Sequence, residues 1–241
     1  MKGIKSLLLA SCFLTPLSSF SAGIPVVTAI SDAQEMAHWL ETVKQWEDTV
    51  IHYDRQINAY KNQLATATGI RNVQLFLRQA KNLSKDIERL QERGISLNDL
   101  LTSTNGGYTS ELNNLYGKYK VFDSCDEKAK GSYQDACKKM VINQAVAIEE
   151  TTAIQKQITE TVSDISDLSN RISDSTDSKE SQDLANVVTA KSVQLNALTS
   201  QWEMSVKQTE LRNQMLANQR QKAFQEQQLS APVADLNSIR N

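Results

Sequence analysis

Proline and glycine, the residues that break helices, are scarce: 3 Pro and 8 Gly occur among 241 residues. After the first 22 residues, no segment approaches the roughly 20 apolar residues that a membrane-spanning helix needs. An excess of positive charge is also lacking, because 26 Lys and Arg stand against 28 Asp and Glu, a balance that does not favour binding to nucleic acid. These absences favour a domain of long helices without a membrane span.

Motifs for catalysis and metal binding are absent as well. The sequence has no Gly-rich phosphate loop, no zinc-spaced set of Cys and His, and no nucleophile elbow. The two histidines, His38 and His52, lie about 21 Å apart along one predicted helix, so they cannot share a ligand. We therefore expect a protein that is not an enzyme and that needs no cofactor or metal.

The N-terminus has the pattern of a secretory signal peptide. Lys2 and Lys5 precede an apolar run at residues 7–17, and small residues follow at 19–23. We therefore exclude residues 1–22 from the fold, although cleavage after Ser21, Ala22 or Gly23 fits the pattern equally well. The mature protein is expected to be exported.

Three cysteines are present, and only two belong to the predicted mature chain. Cys12 lies in the signal; a lipoprotein signal ending at this residue is an alternative, but the apolar run before it is short. Cys125 and Cys137 lie in an oxidising compartment, and a disulfide between them would contribute about 3 kcal/mol by the chain-entropy estimate. The alternative is two separate thiols, with Cys137 buried in the following helix.

The strongest helical signal lies between Met36 and Ala67. A capping box of Ser31 and Gln34 precedes it and Gly69 follows it, which predicts a helix of roughly 57 Å. Apolar residues recur at alternating spacings of three and four, as in a helix packed against other helices: Met36, Trp39, Val43, Trp46, Val50, Tyr53, Ile57, Tyr60, Leu64 and Ala67. Because large aromatic side chains need several neighbours to cover them, this helix requires partner helices.

Two further long helices carry matching apolar seams. Ser132 with Asp135 and Asp177 with Glu180 mark their starts, and the short polar turn between them makes them antiparallel neighbours. The combined core candidates are Trp39, Trp46, Tyr53, Ile57, Tyr60, Leu64, Ile158, Ile165, Leu198 and Trp202. Four apolar residues near the end of the last helix, which could line a subunit interface or cover another part of the chain, are Leu211, Met215, Leu216 and Phe224.

Between the first and second long helices, the apolar residues lose their long-range periodicity. It holds a helix that ends at Gly94, a short helix at 110–119 and the two cysteines. We predict an all-α protein: an elongated three-helix bundle with a small, mostly helical globular appendage inserted between the first and second long helices. The predicted ranges are 31–69 and 132–230 for the bundle, 70–131 for the appendage and 231–241 for a C-terminal tail.

An apolar arm at residues 23–30 connects the signal to the first helix. Its apolar members are Ile24, Pro25, Val26, Val27 and Ile30. The arm is too short to span a membrane and too apolar for a free terminus. Two interpretations remain open: the arm folds back on the bundle, or it docks into a membrane-embedded partner.

Several short motifs resemble the minor pilin family of type IV secretion systems. They follow the signal in this order: Gly-Ile-Pro-Val-Val at 23–27, Gln45-Trp46, Tyr53, Gln56-Ile57 and Gln63-Leu64. The resemblance implies a three-helix bundle with an appendage. It also implies a non-catalytic component of the conjugative pilus tip, exported through the periplasm to the cell surface and needed for pilus assembly during DNA transfer.

The same resemblance implies particular partners. Members of the family contact the major pilin and the polytopic inner-membrane component, and a receptor on the recipient cell is a further partner. A homo-oligomeric ring of about five copies is the family expectation. Direct binding to nucleic acid is not expected.

Two other classes of function fit an exported helical protein. One is a periplasmic chaperone or adaptor whose apolar grooves hold clients, and the other is a plain structural coiled coil. Detection of the protein in sheared pili would separate the pilus component from both.

Overall fold

The structure is a computed structural model that describes residues 33–68, 76–78, 83–103, 107–119, 125 and 131–231. Within these ranges all regular structure is helical and no strand occurs, which confirms the all-α class. A helical turn occupies residues 76–78. The longer helical elements in the described ranges are α1 (Ala33–Thr68), α2 (Leu83–Glu92), α3 (Leu97–Thr102), α4 (Thr109–Lys118), α5 (Ser132–Asp174) and α6 (Ser178–Leu229).

Helices α5 and α6, of 43 and 52 residues, form a long antiparallel hairpin. The turn between them is short, and Asp177 caps α6 by accepting a hydrogen bond from the Lys179 backbone N–H at 2.9 Å. The antiparallel register shows in polar pairs along the hairpin: Arg171 with Glu180 at 3.7 Å, Asp164 with Lys191 at 2.7 Å, Glu150 with Ser205 at 3.1 Å, and Asn143 with Asn213 at 2.9 Å.

Helix α1 packs along the other side of α5. The Gln155 amide donates to Asp54 and, at 3.2 Å, to Asn58, while its oxygen accepts from Lys61 Nζ at 2.6 Å. These three α1 residues span two turns, so one α5 side chain fixes the register of this part of the pair.

Buried apolar side chains form two clusters. The first, called the tryptophan cluster, receives residues from all three long helices: Trp39, Val43, Trp46, Val50, Ile57, Ile154, Ile158, Ile165, Ile172, Leu184, Ala185, Val188, Leu195, Leu198 and Trp202. The second, called the leucine cluster, joins the short helices to the end of α1 and the start of α5; its leucines are Leu64, Leu83, Leu90, Leu100, Leu101, Leu112 and Leu115.

Helix α2 ends where the sequence predicts. Gly94 has φ of +80°, and the Ile95 backbone N–H donates to the Leu90 carbonyl at 2.9 Å. A left-handed residue after the last turn lets the chain satisfy carbonyls that the helix leaves free, and glycine adopts it without steric penalty. The proposed stop at Gly69 lies outside the described residues.

The predicted start of α5 at Ser132 is confirmed, with Gly131 as an N-cap residue that makes no side-chain capping bond. The Asp135 carboxylate accepts from Thr109 Oγ1 at 3.1 Å.

One seam prediction on α1 is wrong. Ala67 is exposed, whereas Ala65 is buried. At this end of α1 the helix packs against the leucine cluster, so the buried face turns away from the heptad seam.

Candidate assembly surfaces

An aromatic contact joins α1 to α6. The rings of Tyr53 and Tyr60 lie edge-on to Trp202, with centroids 6.0 and 6.4 Å away. Tyr53 also donates its hydroxyl to Glu203 Oε1 at 3.2 Å. Burial raises the pKa of Tyr53, and the negative charge of Glu203 and this hydrogen bond raise it further. The arrangement is a packing contact that keeps the tyrosines neutral and fixes α1 against the hairpin.

A groove of about 650 Å³ runs between α1 and α5. Its apolar lining comes from the seam residues Val50, Ile57, Ile158 and Val162 and from Ile51, which is 49% exposed. The charged residues at the groove are Glu47, Asp54, Arg55 and Asp167. Three carboxylates against one guanidinium give the groove a net negative charge, and its volume falls in the range of binding clefts.

A smaller groove of about 370 Å³ lies between α5 and α6. Its lining is more polar: Glu150, Ala153, Ile154, Gln157, Gln201, Met204, Ser205 and Gln208. A hydrogen bond of 3.1 Å from Ser205 Oγ to Glu150 crosses between the same two helices. This groove therefore offers less apolar surface than the one between α1 and α5.

A charged network holds α2 to α4. Asp86 accepts hydrogen bonds from Lys118 Nζ at 2.5 Å, from the Tyr119 hydroxyl at 2.6 Å and from Arg89 Nη1 at 3.0 Å. Burial raises the pKa of Asp86, but the hydrogen bonds from Lys118 and Tyr119 and the two positive charges outweigh burial and hold the pKa below its usual value. The pKa of Tyr119 is strongly raised, by burial first and then by its bond to Asp86. Asp86 therefore stays ionised and organises this surface.

A second carboxylate, that of Glu149 on α5, also contacts α2. Glu149 Oε2 accepts from the Ser84 backbone N–H at 3.2 Å. Glu149 therefore supplies an acceptor at the first described turn of α2. Burial raises the pKa of Glu149, and the hydrogen bonds from Ser84 offset part of that rise. Glu149 thereby links the short helices to α5.

Helix α6 exposes several large apolar side chains. Val193, Met204 and Leu211 are each more than half exposed, and Leu229 near the helix end is 88% exposed. Phe224 is 45% exposed and lies 5.8 Å from the ring of Tyr133, which also contacts Arg220. These residues include two of the four that the sequence singles out near the end of α6, whereas Leu216 is fully buried.

The part of the chain that the structure describes holds no group of three or more His, Cys, Asp and Glu residues arranged to bind a metal ion. Nor does a helix in this part combine the length and the apolarity needed to cross a bilayer. His52 is exposed, and one ring nitrogen lies 2.9 Å from the Gln56 side-chain nitrogen.

Comparison with models of protein families matches residues 23–222 to the type IV secretion system proteins. The chain belongs to this family. The matched region covers most of the 241 residues and includes α1, α5 and all but the last seven residues of α6. As a type IV secretion system protein, the molecule has a role in that system and acts with its other components. Searches of curated proteins and of solved structures gave no significant match.

The structure places the predicted core residues of this type IV secretion system protein in two groups. Trp39, Trp46, Ile57, Ile158, Ile165, Leu198 and Trp202 are buried in the tryptophan cluster, with Tyr53 partly buried against it. Tyr60 contacts both clusters, and Leu64 belongs to the leucine cluster. Cys125 and Cys137 form a disulfide with a Cα–Cα distance of 5.8 Å. The predicted arm, Ile24 to Ile30, lies outside the described residues.

Sequence reasoning missed the two carboxylates that hold α2. Neither Asp86 nor Glu149 stands out in the sequence. Lys118 and Tyr119, which bond Asp86, lie more than 30 positions away, as does Ser84 from Glu149, so no local pattern reveals these contacts. The α1–α5 groove is likewise a product of packing between distant helices.

Proposed function

We propose that this type IV secretion system protein is a minor pilin, located at the tip of a conjugative pilus and needed for pilus assembly. We further propose that its role corresponds to that of the conjugation protein of IncN plasmids, which its N-terminal motifs resemble. The observation that carries the proposal is the family match, which begins at Gly23, directly after the predicted signal peptide. The matched region includes the predicted arm, α1, α5 and most of α6.

The architecture proposed with this role is a three-helix bundle of α1, α5 and α6 that bears an appendage at residues 70–131. The shared tryptophan cluster supports the bundle, and the separate leucine cluster supports the appendage. The proposed role is non-catalytic and uses no cofactor. The chain works by fitting into a larger assembly, with a location in the periplasm and at the pilus tip.

The proposed partners are the major pilin, the polytopic inner-membrane component and further copies of this chain in a ring. Outside the cell, the proposed contact is a receptor on the recipient cell. The protein is proposed to assist DNA transfer without binding DNA itself. In this scheme the arm seats the protein in the membrane component while pilin subunits add beneath it. The exposed apolar residues of α6, including Met204 and Leu211, supply surface for contacts between subunits.

Deleting Ile24 to Val27 tests the seating role. We expect pili to disappear from cells and conjugation frequency to fall, because the bundle loses its anchor while its core remains intact. Pili are counted by electron microscopy, and helical content of the purified variant is measured by circular dichroism. Deletion of residues 238–241, equal in length and at the other terminus, is the control. Normal piliation after loss of the arm residues would show that the seating role is wrong.

A periplasmic chaperone or adaptor is the second candidate, and the α1–α5 groove is the observation that favours it. A chaperone stays in the periplasm, whereas a pilus-tip component leaves with the pilus. Immunodetection of the protein in sheared, purified pili therefore separates the two. A protein found only in the periplasmic fraction of piliated cells would support the chaperone.

A further inference from the structure

The α1–α5 groove has an open apolar floor. Ile51 stands half exposed beside it, and Val162 is only partly buried. Helix packing normally covers such a stripe, yet no described residue of α6 or of the short helices lines this groove. An apolar segment laid along it would shield Ile51 and Val162 from water.

The arm has the length to reach this groove. Nine residues, 24–32, precede the first described residue, Ala33, and span roughly 30 Å when extended. The distance along α1 from Ala33 to Asp54 is about 32 Å at the helical rise. At full extension, an arm that turns back at the start of α1 brings Val26 to within about 3 Å of the level of Ile51, measured along the helix. Ile24 then lies close to the level of Asp54.

The chemistry of the arm also matches that of the groove. Residues 24–30, Ile-Pro-Val-Val-Thr-Ala-Ile, carry no charged side chain, which suits the apolar floor. Signal cleavage at the predicted region leaves a positively charged amino group next to Ile24. In the extended arrangement this group arrives near the carboxylates of Glu47, Asp54 and Asp167, which outnumber Arg55. Opposite charges at a partly buried site favour this seating.

We infer that in the free, exported protein the arm folds back and occupies the groove between α1 and α5. The apolar residues destined for a partner are then covered until assembly, and the arm must leave the groove to reach that partner. This arrangement limits self-association of an exposed apolar terminus. Docking of the arm concerns the isolated chain and does not depend on the pilus role, whereas its release at assembly rests on the proposed function.

Paired cysteines provide the test. The exported protein with Val26→Cys and Ile51→Cys is purified with its native disulfide and mildly oxidised at low concentration. The matched control pairs Val26→Cys with Val193→Cys, because Val193 on α6 is 51% exposed and Ile51 is 49% exposed. We expect intramolecular linkage to residue 51 in about tenfold excess over residue 193, since a docked arm raises the local thiol concentration.

The products are assigned by non-reducing electrophoresis and peptide mass mapping, which also verifies the bond between Cys125 and Cys137. Equal linkage to residues 51 and 193 would overturn the inference, because it indicates an undocked arm. Linkage between molecules that rises with protein concentration would also overturn it, because a second copy then fills the groove. Tryptophan emission checks the fold, since all three tryptophans lie in the tryptophan cluster.

A third substitution tests the apolar part of the contact. In the Val26→Cys, Ile51→Cys protein, Val27→Asp should lower the yield of the intramolecular product several-fold, because it brings a carboxylate to an acidic, apolar groove. The control Val27→Ala keeps the arm uncharged and should retain most of the product. An unchanged yield with Val27→Asp would contradict docking in the groove.

Discussion

At the scale of single residues, the two carboxylates at α2 respond to pH in opposite directions. The pKa of Asp86 is lowered by its partners, so its stabilising effect is present above the unfolded-state pKa of about 3.9 and is lost as pH falls through the lower folded-state pKa. The pKa of Glu149 is raised, chiefly by burial, so ionisation of Glu149 opposes folding and its contribution improves as pH falls.

Asp86→Asn should reduce the stability of the short helices. We expect a loss of about 1–3 kcal/mol at pH 7, because Lys118, Tyr119 and Arg89 lose an ionised acceptor. The difference from the unaltered protein should narrow as pH falls below the unfolded-state pKa of about 3.9, and it should be smallest below the lower folded-state pKa, where the native carboxyl is protonated as well. Hydrogen exchange of the α2 amides measures the effect. Glu92→Gln, an exposed acid on the same helix, is the control, and an equal loss with that variant would argue against the network.

At the scale of helices, α1 offers two isoleucines in opposite environments. Ile57 is fully buried in the tryptophan cluster, and Ile51 is half exposed at the groove. Ile57→Ala should lower the free energy of unfolding by about 2–5 kcal/mol through loss of burial and cavity formation. In the protein that lacks Ile24 to Val27, where no arm covers the groove, Ile51→Ala should change it by about 0.5 kcal/mol or less. Urea unfolding followed by circular dichroism measures both, and similar losses for the two variants would show that the assigned face of α1 is wrong.

The long helices were predictable because their apolar period repeats many times. α1, α5 and α6 each have seams in which most members are buried, and the turn at Ser175 to Asp177 forms where polar capping residues accumulate. Helix α3 was missed because six residues are too few to show a period. Its signal is local: Ser96 and Asp99 form a reciprocal capping box, with the Asp99 N–H donating to Ser96 Oγ at 3.1 Å.

The surfaces were less predictable than the helices. A heptad pattern identifies the buried face of each helix. It does not give the distance between the surfaces of two neighbouring helices, which decides whether a groove forms between them. The groove between α1 and α5 depends on how closely the helices approach, which Gln155 helps to set through Asp54, Asn58 and Lys61. Contacts of this kind join residues about 100 positions apart, so no sequence window contains them.

At the scale of the whole molecule, the two hydrophobic clusters should respond separately to loss of the disulfide. Cys125 and Cys137 belong to the leucine cluster, and all three tryptophans belong to the other cluster. Replacing both cysteines by serine should destabilise the short helices by about 2–4 kcal/mol, because the unfolded loop is no longer constrained. Tryptophan emission should remain unchanged under native conditions, while amides of α4 exchange faster with solvent.

Reduction of the unaltered protein with a thiol reagent is the matching control for that double variant, since it opens the same bond without a substitution. Both treatments should give the same exchange pattern. A red shift of tryptophan emission after either treatment would indicate that the two clusters unfold as one unit.

Helix α5 passes without interruption through both clusters, with Cys137 to Ile148 in one and Ile154 to Ile172 in the other. Its 43 residues form a rod of about 64 Å. The continuous helix therefore fixes the spacing between the two clusters, so the short helices stand at a set distance from the three tryptophans.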